Sequence, residues 1–127
     1  MIGTVVLLLV GLELKHFVAD YTLQSPLILS GKGNLRASGG YIHAGIHSAG
    51  SAVVLLLAGI KLPVLLALIA AEFVVHYGLD YAKIHYSRNV HAATQPSRFW
   101  ALHGFDQLTH HLTYAAMIYI GLTAGWA

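Results

Sequence analysis

Glu72-Phe-Val-Val-His76-Tyr-Gly-Leu-Asp80-Tyr-Ala-Lys83 closes an apolar run that begins near Leu62. At 3.6 residues per helical turn, Glu72, His76 and Asp80 fall on one face, each about 6 Å along the axis from the next. A helix this apolar belongs in lipid or in a deep core, where an unpaired charge costs on the order of several kcal/mol. The three ionisable groups therefore need partners from elsewhere in the chain.

The same spacing recurs. His16 and Asp20, His43 and His47, and Asp106 and His110 are each four apart, and four of the five acidic residues (Asp20, Glu72, Asp80, Asp106) have a histidine four positions away. Each pair forms one polar stripe on a helix. On the first helix Glu13 and Gln24 extend the stripe, while Lys15 lies off it, free to snorkel or to pair with a neighbouring helix.

Composition sets the solvent. Of 127 residues, 57% are hydrophobic and 9% charged, and the mean hydropathy is +0.66, which excludes the charged surface of a soluble domain. The absence of cysteine removes disulfides, thiolate nucleophiles and Cys-based metal sites, leaving histidine and carboxylate as ligands. Seven scattered Lys and Arg make no basic patch, so nucleic acid is not an expected partner. The apolar N-terminus lacks both a positive start and a small-x-small cleavage site, and reads as a retained membrane helix.

The expected fold is all-α: a single membrane domain over residues 1–127, an antiparallel up-down four-helix bundle with helices at about 2–24, 40–60, 62–85 and 97–124. The Gly- and Ser-rich segment 25–39, with Lys32 and Arg36, reads as a flexible connector; its spacing is no Walker motif. Gly45, Ala49, Gly50, Ser51 and Ala52 give the second helix a small-residue face, a candidate homodimer contact. Lys32, Arg36, Lys83, Arg88 and Arg98 share one side of such a bundle and Lys61 the other, so the positive-inside rule puts the first set in the cytoplasm and both termini outside. The Tyr and Trp near helix ends (Tyr81, Tyr86, Trp100, Trp126) read as aromatic-belt anchors, and His85 and His91 as interfacial or loop residues.

With alternating helix directions, all four polar pairs reach one depth, at the cytoplasmic end of the bundle core. His16, Asp20, His43, His47, His76, Asp80, Asp106 and His110 are then candidate metal ligands, too many for one tetrahedral ion and appropriate for two. Zinc suits this donor set, with iron and manganese as alternatives. Such a centre near a lipid interface would hydrolyse an ester or phosphoester of a lipid-like or phosphorylated substrate. Glu72 is the candidate general base, and Lys83 or Arg98 would steady an anionic substrate. Gln24, Gln107, His103 and His111 are candidate hydrogen-bonding partners of the ligands.

Other readings compete. Buried polar pairs also hold membrane helices together without a metal. A di-iron or di-manganese oxidoreductase would use the same ligand types, although the Glu-x-x-His signature of that class is absent. A metal-ion or proton carrier would need polar residues in the other membrane half too, where the sequence offers only Glu13 and Thr4.

Lys15-His16-Phe-Val-Ala-Asp20-Tyr-Thr-Leu-Gln24, His43-Ala-Gly-Ile-His47, His76-Tyr-Gly-Leu-Asp80-Tyr-Ala-Lys83 and Asp106-Gln107-Leu-Thr-His110 resemble, in order, the motifs of the DUF3307 family of small bacterial and phage membrane proteins. The resemblance covers nearly the whole chain and implies a bacterial inner membrane, but no activity. More distantly, His16 with Asp20 and His76 with Asp80 are similar to the His-x-x-x-Asp pairs of YdjM-like membrane-bound metal-dependent hydrolases and of zinc-dependent phospholipases C, which implies hydrolysis. The phospholipases' N-terminal ligand and trinuclear arrangement have no counterpart in this sequence.

Overall fold

The computed structural model describes residues 1–125; Trp126, a belt residue by sequence, lies outside the described residues. The chain forms five helices, α1 (Ile2–Phe17), α2 (Pro26–Gly31), α3 (Gly39–Leu57), α4 (Leu62–Ser87) and α5 (Pro96–Ile120), with no strand among the described residues. A π-helical turn at Val18–Thr22 continues α1, and another at Gly121–Gly125 continues α5. Ile2–Thr22, Gly39–Leu57 and Leu62–Ser87 are long and apolar enough to cross a membrane. Composition marks three such spans rather than four, because α5 carries Arg98, His103, Asp106, Gln107, His110 and His111 before it turns apolar.

Local chemistry explains where the helices stop. Expected to reach Ile60, α3 ends at Leu57 because Gly59 takes φ +76°, a left-handed conformation that glycine adopts without steric cost. Gly59 N donates to Leu56 O and Ile60 N to Leu55 O, both at 3.0 Å, the bond pair of a Schellman motif, and Leu55 and Ile60 meet in the core. Pro63 and Pro96 occupy the first turns of α4 and α5, where a missing N–H removes no helical bond.

The connector is the main departure from expectation. Ser25 accepts from Ile28 N at 3.4 Å and Pro26 follows it, a cap and start signal that makes residues 26–31 a helix rather than a flexible loop. This short α2 packs on α3, so closely that a Cβ on Gly31 would lie 2.6 Å from the backbone of Gly39.

Packing joins α1 to α3 and α5, and α4 to α3 and α5. The interior has two layers. Leu8, Leu12, Val54, Leu55, Leu65, Leu68, Tyr114 and Met117 belong to an apolar core, drawn from the N-terminal turns of α1 and α4 and the C-terminal turns of α3 and α5. The adjoining turns of the same helices bury His16, His43, His47, Glu72, His76, Asp106 and His110. Meanwhile Val10, Leu14, Phe17, Val53, Leu56, Leu66, Val74, Leu108 and Leu112 are exposed, the inverse of a water-soluble surface and what a hydrocarbon solvent favours.

Along the small-residue face of α3, Gly45, Gly50 and Ala52 are part-buried and Ala49 is exposed. Ser51 is fully buried, and Cβ atoms on Gly50 and Gly45 would meet the side chains of Lys15 and Phe73.

Glycine substitutions separate tight from open backbone. Gly31→Ala must push α2 from α3 and is expected to destabilise by about 1–3 kcal/mol. Gly78→Ala has nothing within 4 Å and is expected to stabilise α4 by roughly 0.5–1 kcal/mol. Thermal unfolding in detergent checks both; a Gly31→Ala protein as stable as wild type would contradict the close approach.

Candidate metal centre

The cluster is built around two carboxylates. Asp20 Oδ1 lies 2.9 Å from His47 Nε2 and 3.1 Å from His43 Nε2, and Asp20 Oδ2 lies 3.1 Å from His16 Nε2. One acid therefore meets three imidazoles from two helices. Asp20 sits in the π turn, where the Leu23 N–H reaches Val18 O across five residues, and such turns often mark functional positions. Thr22 Oγ1 donates a second bond to Val18 O at 2.6 Å, and Gln24 Nε2 donates to Asp20 O at 2.6 Å, covering a carbonyl at the helix end. Gln24 thus holds the backbone of Asp20 rather than the carboxylate or an imidazole.

Asp80 is the second centre. Its Oδ2 lies 3.4 Å from His76 Nε2 and 3.5 Å from His43 Nε2, and its Oδ1 3.4 Å from His110 Nε2. The rings of His47 and His76 stack at 3.9 Å, and those of His76 and His110 lie 4.4 Å apart. Two donor groups result. Asp20, His43, His47 and His76 each offer one atom within 4.8 Å of the others, and so do His76, Asp80 and His110. His76 belongs to both.

Within the cluster His43 Nε2 and His76 Nε2 are buried without a hydrogen-bond partner. They sit within ion-pair distance of Asp20 and Asp80, but off the axis a hydrogen bond requires. A buried imidazole lone pair left unmatched costs roughly 1–3 kcal/mol, and a cation between the groups would satisfy both. The six side chains that converge in the two groups, two of them with unbonded nitrogens, fit a divalent ion by donor type.

Other expected ligands take supporting positions. His16 is bonded on both ring nitrogens, Nδ1 to Tyr114 Oη at 2.7 Å and Nε2 to Gln107 Oε1 at 3.0 Å as well as to Asp20. Asp106 lies 3.3 Å from His110 through Oδ1, while its Oδ2 accepts from Lys83 at 2.9 Å and Gln107 at 3.0 Å. Neither residue is in a donor group. Gln107 bridges them, in keeping with its expected hydrogen-bonding role. His103 instead lies edge-on to Trp100, ring centres 5.8 Å apart, one helical turn short of the cluster. His111 pairs with Glu13 at 2.9 Å on a half-exposed face.

The two candidate catalytic residues are already paired. Glu72 is bound by Lys15, and both are almost fully buried. Lys15 also contacts His47 Nδ1 at 3.2 Å and lies over the Tyr114 ring at 4.5 Å, so the pair forms a floor between the cluster and the apolar core. Glu72 thus lies beneath the site, held by Lys15. Lys83, bonded to Asp106, is spoken for in the same way, and Arg98 is exposed.

Lys15, Tyr114 and Lys32 join the site without belonging to the histidine–acid pattern. Lys32 Nζ lies 3.1 Å from Asp80 Oδ2. Lys15 and Tyr114 are off the four-residue repeat, and Lys32 lies in the connector. Only the need of Glu72 for a buried cation points toward Lys15 in the sequence.

The model of a family described as a protein of unknown function (DUF3307) matches residues 6–127. The chain belongs to the DUF3307 family. No curated protein and no solved structure matches it, so the chemistry of this DUF3307 member has to be argued from its own side chains.

Removing one member of the floor tests its role. Lys15→Met leaves Glu72 buried and unpaired, with an expected loss of about 3–5 kcal/mol. Lys15→Met with Glu72→Leu should recover most of it, since a packed apolar pair avoids the desolvation of both charges. A double-mutant cycle of unfolding in mild detergent measures the coupling; independent, additive losses would show that the pair does not act as a unit.

Proposed function

We propose that this protein is a membrane-embedded, metal-dependent hydrolase whose two-ion centre acts on an ester or phosphoester of a lipid or amphipathic substrate. The observation that carries the reading is the pair of donor groups meeting at His76, with the Nε2 atoms of His43 and His76 buried and unbonded. In this reading Asp20, His43 and His47 hold one ion, and His76, Asp80 and His110 the other. Three protein ligands per ion leave a position open, as catalytic zinc sites do and closed structural sites do not. Zinc suits the donors; iron or manganese would fit the same types.

Bound divalent ions would supply Lewis acidity and make a water ligand nucleophilic near neutral pH. The chain supplies the rest. His16, held by Tyr114 and Gln107, orients Asp20. Asp106, with a buried and unbonded Oδ1 near His110, takes the proton-accepting role that the floor position denies to Glu72. Lys15, neutralised by Glu72, packs beneath His47.

The reading includes four crossings. Exposed Phe105, Leu108, Leu112, Tyr119 and Ile120 opposite buried Asp106, His110, Tyr114 and Met117 suit α5 as the fourth helix of an antiparallel bundle, polar inside and apolar toward lipid. The basic residues of the α1–α3 connector and the α4–α5 turn then favour a site on the cytoplasmic side of a bacterial inner membrane, with the termini outside.

Elemental analysis of protein purified in detergent tests this. Two ions per chain are expected, lost on His76→Ala with the helical circular dichroism signal retained. Affinity should fall on acidification, by about tenfold per pH unit for each imidazole that must shed a proton. Chelator-sensitive hydrolysis of generic phosphoesters is the second readout. Metal-free protein of unchanged stability would overturn the proposal.

A further inference from the structure

Lys32 belongs to neither donor group, yet its backbone is held rather than loose. Lys32 N donates to Ile28 O at 3.2 Å, Asn34 N to Gly31 O at 3.2 Å, and Gly33 O accepts from His85 Nε2 at 3.2 Å. Gly33 has φ +76° and lies so close to Ile84 that a Cβ would come within 2.6 Å of it. The connector is thereby pinned to the end of α4, and it aims one ammonium group at Asp80.

That group stands where the cluster is least covered. The side chains of Lys32, Asp20 and Asp80 are 12–13% exposed, whereas those of His43, His47, His76 and His110 are 0–3% exposed. Lys32 is thus the cation at the partly open side of Asp80.

Charge decides what can stay there. Asp20, Asp80 and Asp106 bring three negative charges, Lys32 and Lys83 two positive ones, and Lys15 and Glu72 cancel. With the imidazoles neutral, as ligands must be, the groups of the centre sum to one negative charge before any ion is added. One divalent ion leaves it one positive in excess, and two leave it three in excess. An uncompensated charge in surroundings this apolar is costly, so the loaded centre calls for an anion. A dianionic oxyanion offsets more of the excess than a carboxylate. Once Asp80 is engaged on an ion, its attraction for Lys32 weakens and the flexible ammonium can turn to the incoming anion. Lys83 has no such release, because Asp106 lies outside both donor groups.

We propose that the metal-loaded centre binds a phosphate-type oxyanion and that Lys32 is the residue that receives it. This rests on the metal reading above and names its substrate class. The test uses the full chain in neutral detergent, loaded with zinc, its metal content measured, and titrated with inorganic phosphate by calorimetry. Wild type should bind phosphate; Lys32→Met should keep its zinc and bind at least about tenfold more weakly, and Lys32→Arg should stay within roughly threefold of wild type. Competition by phosphatidic acid, but not phosphatidylcholine, in mixed micelles would identify the oxyanion as a lipid headgroup; equal inertness of both lipids would identify a soluble phosphate ester. Zinc-loaded wild type that ignores phosphate, or Lys32→Met binding as tightly as wild type, would overturn the inference while leaving the metal centre standing. Loss of zinc in Lys32→Met would also overturn it, by making Lys32 part of the metal site. Absence of zinc from wild type would remove the metal reading and this inference together.

Discussion

A carboxylate buried among apolar helices must be met by positive charge or by hydrogen-bond donors, and the architecture follows from that demand. Asp20 alone engages His16, His43 and His47, and Asp80 reaches His43, His76, His110 and Lys32. Each acid therefore ties together helices that apolar packing alone would hold with little preference, since membrane helices gain nothing from hiding leucine from lipid. The polar layer fixes which helices meet and at what height. Rotating α4 by one residue would swing His76 and Asp80 about 100° away from these partners and strand several ionisable groups at once.

The floor explains how such a cluster is tolerated. Between the imidazoles and the leucines lies Lys15 with Glu72, capped by the Tyr114 ring. Tyr114 is used at both of its ends, for its ring belongs to the apolar core while its hydroxyl reaches His16 at 2.7 Å. Polarity is thus graded along the axis, from leucine through an aromatic ring and a neutralised ion pair to the open carboxylates. A buried ion pair is a poor source of stability but a strong specifier of geometry when each partner is worthless alone. Here it holds His47 through a contact to the ring nitrogen facing away from Asp20.

Much of this is legible in the sequence because one spacing repeats. The four-residue interval fixes a helix face whatever the tertiary context, so bringing His16, Asp20, His43, His47, His76, Asp80, Asp106 and His110 together requires only that the helices stand side by side. The division among them is not legible. His16 and Asp106 obey the same interval as His76 and Asp80, yet hydrogen bonds with Tyr114, Gln107 and Lys83 engage them outside the donor groups. The π turn at Asp20 has no Gly or Pro to announce it. Residues 25–39 resemble a flexible loop only when glycine content is weighed above the Ser25-Pro26 start, because Gly31, Gly33 and Gly39 serve close approach and a left-handed turn.

The same layering bears on what the cluster is for. Histidine and carboxylate strings that carry ions across a membrane need polar groups at every depth, and here the interior beyond Lys15 and Glu72 is Leu8, Leu12, Leu55, Leu65, Leu68 and Met117. An ion entering from the side of Asp20 and Asp80 would meet this apolar plug within about two helical turns, and crossing it would mean shedding its ligands in hydrocarbon. A purely structural role sits no better with the geometry, because side chains serving only to join helices would be expected to saturate one another, as His16 does, rather than leave the Nε2 atoms of His43 and His76 unbonded. The polar layer therefore ends in depth, with Lys32 at Asp80 on one side and leucines on the other.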